Sequence, residues 1–232
     1  MNNIAVILAA GSGKRVGGDI PKQYMLLPDG MSVMEKAVTA FEQAPQIDGI
    51  FVVAHKSWFD TVITYSKQRQ WQKFLGLIEG GAERWESSRN AVEKVRFHQQ
   101  NCGVTDCNIL LHDCARPFVS QCIIADVCAA LENYLAVTVA IPATDTMYIC
   151  RNDILTDIPP RRTLLRAQTP QAFRLSVIHE AYECASKENF TEATDDCGIL
   201  RRFKPEVRIK IVAGEEENRK ITFIKDLHIT IG

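Results

Sequence analysis

The chain has 232 residues, of which 46% are hydrophobic and 24% charged, with a formal net charge of −1. That length allows one large domain or two small ones with a substantial core, and the charge balance leaves no overall basic field to attract nucleic acid. No apolar run approaches the ~18 residues of a membrane span, no basic and apolar leader opens the sequence, and the eight cysteines include no Cys-x-x-Cys pair, so reduced thiols in a cytoplasmic protein are expected rather than a disulfide framework or a zinc site.

The apolar run at 4–10 ends in Gly11-Ser12-Gly13, and Lys14, Arg15, a second glycine pair and Pro21-Lys22-Gln23 follow. This predicts a buried strand running into a glycine loop that can aim successive N–H groups at an anion, with Lys14, Arg15 and Lys22 to neutralise phosphates. Apolar residues at helical spacing over 33–44, with Ser32 as N-cap, predict the first helix. A buried strand is expected at 47–54 and a second helix at 58–74. A short strand at 75–79 ends in Gly80-Gly81, and 83–97 reads as helical. Residues 108–111 read as a strand running into His112-Asp113-Cys114-Ala115-Arg116-Pro117. A helix at 122–134 and a strand at 137–141 follow. The alternation predicts an α/β fold: a Rossmann-like, mainly parallel sheet with helices on both faces. Ligands of such sheets bind outside the carboxyl ends of the strands, so the loops at 11–22, 80–87 and 112–116 are expected to converge.

The rhythm changes at Pro142. Residues 145–150 and 154–158 are β-like around the turn Arg151-Asn152-Asp153, which predicts a hairpin arm projecting at about 142–163 from a single domain spanning 1–232. Residues 164–167 lead through Thr169-Pro170-Gln171 into a helix at 173–187. Thr194-Asp195-Asp196 caps a short helix, and 207–212 is a strand.

Taken singly, the motifs leave alternatives open. The phosphate-binding P-loop pattern is absent, and the dinucleotide fingerprint fails at Val16. The first loop reads as a triphosphate site or as a tight turn with solvated lysines. Gly80-Gly81 with Ser87 reads as a turn, or as a place where the backbone approaches a base or ribose. His112-Asp113 with Arg116 reads as a local ion pair, or as a ribose or magnesium contact at Asp113 with a phosphate contact at Arg116. Cys114 has no histidine constellation that would make it a nucleophile. Arg161, Arg162 and Lys220 are exposed cations unless they reach the same pocket.

Together the motifs resemble the cytidylyltransferases that act on 2-C-methyl-D-erythritol 4-phosphate, and the related ribitol-5-phosphate cytidylyltransferases. The resemblance runs from Ala5 to Leu227. It is carried by residues 8–15, Pro21-Lys22-Gln23-Tyr24, Gly80-Gly81 with Arg84 and Ser87, and His112-Asp113 with Arg116-Pro117-Phe118. Asp145-Thr146, residues 168–173, Thr194-Asp195-Asp196 and Asn218 with Lys220-Ile221-Thr222 complete it. It implies that Leu8, Ala9, Ala10, Gly11, Ser12, Gly13, Gly80, Gly81, Ala82, Arg84, Ser87 and Asp113 bind CTP, and that Arg15 and Lys22 stabilise the transition state. It also implies that Arg116, Thr146, Arg161, Thr169 and Lys220 position the phosphorylated alcohol. Mg²⁺ would be held mostly by the CTP phosphates, with Asp113 as its one protein ligand. A homodimer would form through the arm, which reaches into the partner's site.

The sequence departs from the pattern at Arg219 and at Phe223-Ile224-Lys225, and it stops soon after Leu227. Residues 9–11, 145–147 and 172–175 look like the methylerythritol branch; residues 157–159 and Cys197 look like the ribitol branch. The methylerythritol reading is preferred, with CDP-ribitol synthesis as the alternative. A CTP-binding module without turnover is the reading from a different functional class.

Overall fold

The structure is a computed structural model, and it describes residues 1–11, 20–190 and 192–228. Its frame is a seven-stranded sheet built from β1 (Asn3–Leu8), β2 (Gly49–Ala54), β3 (Phe74–Glu79), β4 (Asn108–Asp113), β5 (Ala136–Pro142), β8 (Leu165–Arg174) and β9 (Ile209–Ala213). Their order across the sheet is β3-β2-β1-β4-β8-β5-β9. Every pairing is parallel except those of β8, which runs antiparallel to both β4 and β5.

β1 and β2 are near-continuous apolar runs because both of their faces are covered. Alternate residues of β1 serve opposite layers. Ala5 and Ile7 join a core with α1 (Val33–Glu42), α2 (Phe59–Gln68) and α4 (Gln121–Ala130). Ile4 and Val6 join one with α3 (Arg84–Asn101), α5 (Leu175–Lys187) and α6 (Asp196–Phe203). Ser32 caps α1 in a reciprocal box: it accepts from the Glu35 N–H while the Glu35 carboxylate accepts from the Ser32 N–H.

Two expectations are corrected. The helix predicted over 58–74 ends at Gln68, and Phe74 opens β3. Trp71 and Phe74 extend the apolar spacing past the helix because they pack on the same core layer. Residues 165–174, predicted as an approach to a helix, form the long central strand β8, and α5 starts at Leu175. β8 accommodates Pro170 through a bulge. Thr138 of β5 pairs with Gln171 and the next residue, Val139, with Gln168, so Thr169 and Pro170 stand out of the ladder.

The arm is a separate two-stranded sheet of β6 (Ile149–Arg151) and β7 (Ile154–Asp157), with Asn152 and Asp153 at positive φ in the turn. It leaves from the carboxyl end of β5.

Candidate active site

The carboxyl edge of the sheet gathers side chains from six segments. Asp113 ends β4 and is buried at 9% exposure. Arg84, the first residue of α3, donates from Nε to Asp113 Oδ1 at 3.1 Å. Lys220, from the segment after β9, donates from Nζ to Asp113 Oδ2 at 2.6 Å. Burial alone would raise the Asp113 carboxyl, but the Arg84 and Lys220 charges outweigh it and hold the group far below the usual carboxylate range. Arg84 is held above its ordinary value, its burial more than offset by Asp196 and Asp113.

The bulge in β8 brings Thr169 over the end of β4. Thr169 Oγ1 accepts from the Asp113 N–H at 3.1 Å and lies 3.0 Å from His112 Nδ1, while His112 Nε2 lies 2.9 Å from the Arg116 carbonyl. A carbonyl only accepts, so neutral His112 carries its proton on Nε2, and Nδ1 takes the Thr169 hydroxyl proton. Burial pushes the imidazole down to about 4, keeping it neutral. Every member of the chain is satisfied, and it fixes the backbone that carries Asp113.

Arg116 donates from Nη1 to the Asn218 carbonyl at 2.7 Å and from Nη2 to the Ala167 carbonyl at 3.0 Å. Asn218 is fully buried and donates to Gln168 Oε1 and the Thr169 carbonyl. Ile221 N–H closes onto the Ala115 carbonyl at 2.8 Å. These contacts tie the segment bearing Lys220 across the sheet edge. Lys22, in a 3₁₀ turn at Lys22–Tyr24, donates to the Ile221 carbonyl at 2.7 Å and so stands at the same edge. Gln23 beside it holds the carbonyls of Ala9 and Gly11.

The glycine pair works by close approach. A Cβ on Gly80 would lie 2.1 Å from Ala10 Cβ, so only glycine lets this loop pack on the end of β1. A Cβ on Gly81 would lie 2.3 Å from Glu86 Cβ. Ser87 accepts from the Gly81 N–H, and Glu86 accepts from the N–H groups of Ala82 and Glu83, so the start of α3 satisfies the loop's own donors.

The predicted residues Leu8, Ala9, Ala10, Gly11, Lys22, Gly80, Gly81, Ala82, Arg84, Ser87, Asp113, Arg116, Thr169 and Lys220 therefore share one edge. Ser12, Gly13, Lys14 and Arg15 lie outside the described residues. Thr146 and Arg161 are exposed at the base of the arm, where Arg161 donates to the Thr144 carbonyl at 3.1 Å; among the described residues no hydrogen bond joins them to the cluster. The Asp113–Arg116 ion pair suggested by proximity in sequence is replaced by pairs with Arg84 and Lys220. Thr169, expected on the alcohol, is engaged with His112 and Asp113. Cys114 is buried and its thiol is pushed up by that burial, so it is no nucleophile. Asp113 does not fit a metal ligand: both of its oxygens face cations, and among the described residues no three His, Cys, Asp or Glu side chains converge on a metal position.

Sequence reasoning gave Asp196, which stands behind Arg84, only a share in a helix cap, and gave no site role to Tyr182 beside it or to Gln168 and Asn218. The available signal was polar residues set among apolar ones: Gln168 and Gln171 within a strand, and the Asp195-Asp196 doublet at a helix start.

A sequence model of the 2-C-methyl-D-erythritol 4-phosphate cytidylyltransferase family matches residues 3–230. The chain belongs to this family. It is 40% identical over 224 residues to the 2-C-methyl-D-erythritol 4-phosphate cytidylyltransferase of Geobacter metallireducens, covering 96% of this chain and 93% of that protein. It is 33% identical to the ribitol-5-phosphate cytidylyltransferase of Lactiplantibacillus plantarum, covering 97% and 95%. The crystal structure of 4-diphosphocytidyl-2C-methyl-D-erythritol synthase from Anaerococcus prevotii superposes with a TM-score of 0.84 at 27% identity, covering 97% of this chain and 92% of that one. The fold expected of this cytidylyltransferase family, a mainly parallel sheet with a separate hairpin, is the one observed.

Proposed function

We propose that the chain transfers the CMP group of CTP to 2-C-methyl-D-erythritol 4-phosphate and releases pyrophosphate. The observation that carries this reading is the carboxylate of Asp113, set between Arg84 and Lys220 beside the close-packed Gly80 loop, in a chain whose family performs cytidylyl transfer. A phosphate oxygen of the alcohol attacks the α-phosphorus in line, a new P–O bond forms, and the bond to the β-phosphate oxygen breaks, its electron pair leaving with pyrophosphate. No covalent enzyme intermediate is needed. The work is to hold two polyanions together and to stabilise charge on the non-bridging and leaving oxygens.

Lys22, with Arg15 as its partner, supplies that stabilisation. The Gly80–Ala82 loop and Asp113 receive the nucleoside, and Lys220 faces the alcohol phosphate. Magnesium enters as the CTP complex, part of the substrate, where it offsets phosphate charge. Thr146 and Arg161 serve a neighbouring copy: the arm presents Tyr148, Ile154 and Leu155 to solvent, Ile154 at 67% exposure, and a second chain covers them in a homodimer. The enzyme works in the cytoplasm, a reading supported by eight unpaired cysteines.

The test is pyrophosphate release from CTP and Mg²⁺ with a panel of polyol phosphates. Turnover with the methylerythritol phosphate and little with ribitol 5-phosphate is expected. Turnover with ribitol 5-phosphate alone replaces the substrate assignment, and CTP binding without turnover on any member of the panel overturns the enzyme reading.

A further inference from the structure

Arg84 occupies an unfavourable place. It is the first residue of an 18-residue helix, where the macrodipole repels a cation. Two carboxylates hold it there. Its Nε donates to Asp113 at the mouth of the site, and its Nη2 donates to Oδ2 of Asp196 at 2.9 Å. Asp196 lies 112 positions away in sequence, in the first turn of α6, and its side chain is fully buried. Its other oxygen, Oδ1, accepts from the Tyr182 hydroxyl at 2.6 Å. The main chain of Asp196 is pinned as well, since its N–H donates to Gln171 Oε1 of β8 at 3.0 Å. Both oxygens of this buried carboxylate are satisfied, and its one charged partner among the described residues belongs to the nucleotide cluster.

We infer that Asp196, held by Tyr182, is the positioning residue that fixes the plane of the Arg84 guanidinium and, through it, the Asp113 carboxylate for nucleotide binding. A guanidinium anchored at Nε alone can rotate about its Cδ–Nε bond. Anchored also at Nη2 it cannot, because the fork is planar and two separate carboxylates then fix its plane. The side chain is 29% exposed, so without Asp196 it has solvent to swing into. Asp113 would then keep Lys220 and lose the contact that orients its other oxygen. This inference rests on the CTP-binding reading above.

The experiment measures CTP affinity by titration calorimetry, with pyrophosphate release in parallel, for the unaltered chain, Asp196→Asn, Tyr182→Phe, Arg84→Lys and the Asp196→Asn/Arg84→Lys double variant. Asp196→Asn is expected to weaken CTP binding about 10- to 100-fold, since a charge-assisted contact is removed. Tyr182→Phe, which removes one hydroxyl and keeps the ring, is expected to weaken it about threefold to tenfold. It decides the matter if Asp196→Asn does not fold. A lysine cannot span both carboxylates, so in the Arg84→Lys background Asp196→Asn is expected to cost less than about threefold further. A merely structural role would give full additivity in that cycle, and additivity overturns the inference. So does CTP binding unchanged in both Asp196→Asn and Tyr182→Phe. If the unaltered chain itself fails to bind CTP, the functional reading falls first, and the inference falls with it.

Discussion

The sheet edge and the arm are built on opposite principles. At the edge, Asp113 reaches Arg84, Lys220 and Thr169 from three other segments, and the Lys220 segment is stitched down by Arg116 and Asn218. The arm has two short strands whose residues are all exposed and which, among the described residues, pair with no other strand. A two-stranded ribbon is marginal alone in water. The difference teaches where each region gets its order: the edge is over-determined by its own chain, whereas the arm has apolar surface that the described residues leave uncovered. Electrostatics set the first; in the proposed dimer, association sets the second.

The largest expected effect breaks the edge by acid. Neutral, buried His112 has its folded value lowered to about 4 against an ordinary 6.5. Below 6.5 the unfolded chain binds a proton that the folded chain refuses, so stability is lost as pH falls from about 6.5 to about 4, by up to about 3 kcal/mol. Asp113, held low by its cations, keeps its own contribution through that window and loses it at lower pH. Urea midpoints between pH 8 and 4 should show the loss, and His112→Gln should start less stable and have a shallower slope. Equal slopes would mean that the imidazole is free to ionise.

Lys22→Ala should lower kcat on the order of 100-fold, with the circular dichroism spectrum unchanged, because it removes one donor to the developing charge. Turnover within twofold of the unaltered chain would remove Lys22 from the chemistry. Gly80→Ala forces a Cβ against Ala10 and should cost about 2 kcal/mol in unfolding free energy, with weaker CTP binding. A neutral result would show that the loop can retreat from β1.

The smallest effect on stability belongs to the arm. Ile154→Asp should change protomer unfolding by less than about 0.5 kcal/mol yet raise the dimer dissociation constant about tenfold, read by sedimentation. A monomeric parent chain at micromolar concentration would remove the shared-site reading altogether.

The parallel part of this architecture was legible because its strands are buried on both faces and so read as apolar runs between helical periods. β8 was not, because Gln168, Thr169, Pro170 and Gln171 look like a loop. Their polar atoms are buried against Asn218, Glu215, His112 and Asp195, partners that only the folded chain brings near. The same holds at the site. The family resemblance pointed to Asp113, Lys220 and the glycine pair; of the two readings left open for the Asp113 motif, the local ion pair with Arg116 is not the one formed, because ion pairs follow the sheet order rather than distance along the chain. Asp196 was legible only as a helix cap, and that role belongs to Asp195.

β8 fills the slot between β4 and β5, although the chain makes it after both of them. A nascent chain that has reached Asp157 already holds seven of the nine strands of the described residues; β3-β2-β1-β4 can pair side by side, but β5 still lacks both of its sheet neighbours. In the finished sheet β4 and β5 stand two strand spacings apart, about 10 Å, and until β8 fills that slot the facing edges of both carry unpaired N–H and C=O groups. The strand that closes those rows also delivers Thr169 to Asp113. During synthesis, then, joining β5 to the rest of the sheet and seating Thr169 on the Asp113 backbone are one event, while the Lys220 contact to the carboxylate waits for β9 and the segment that follows it.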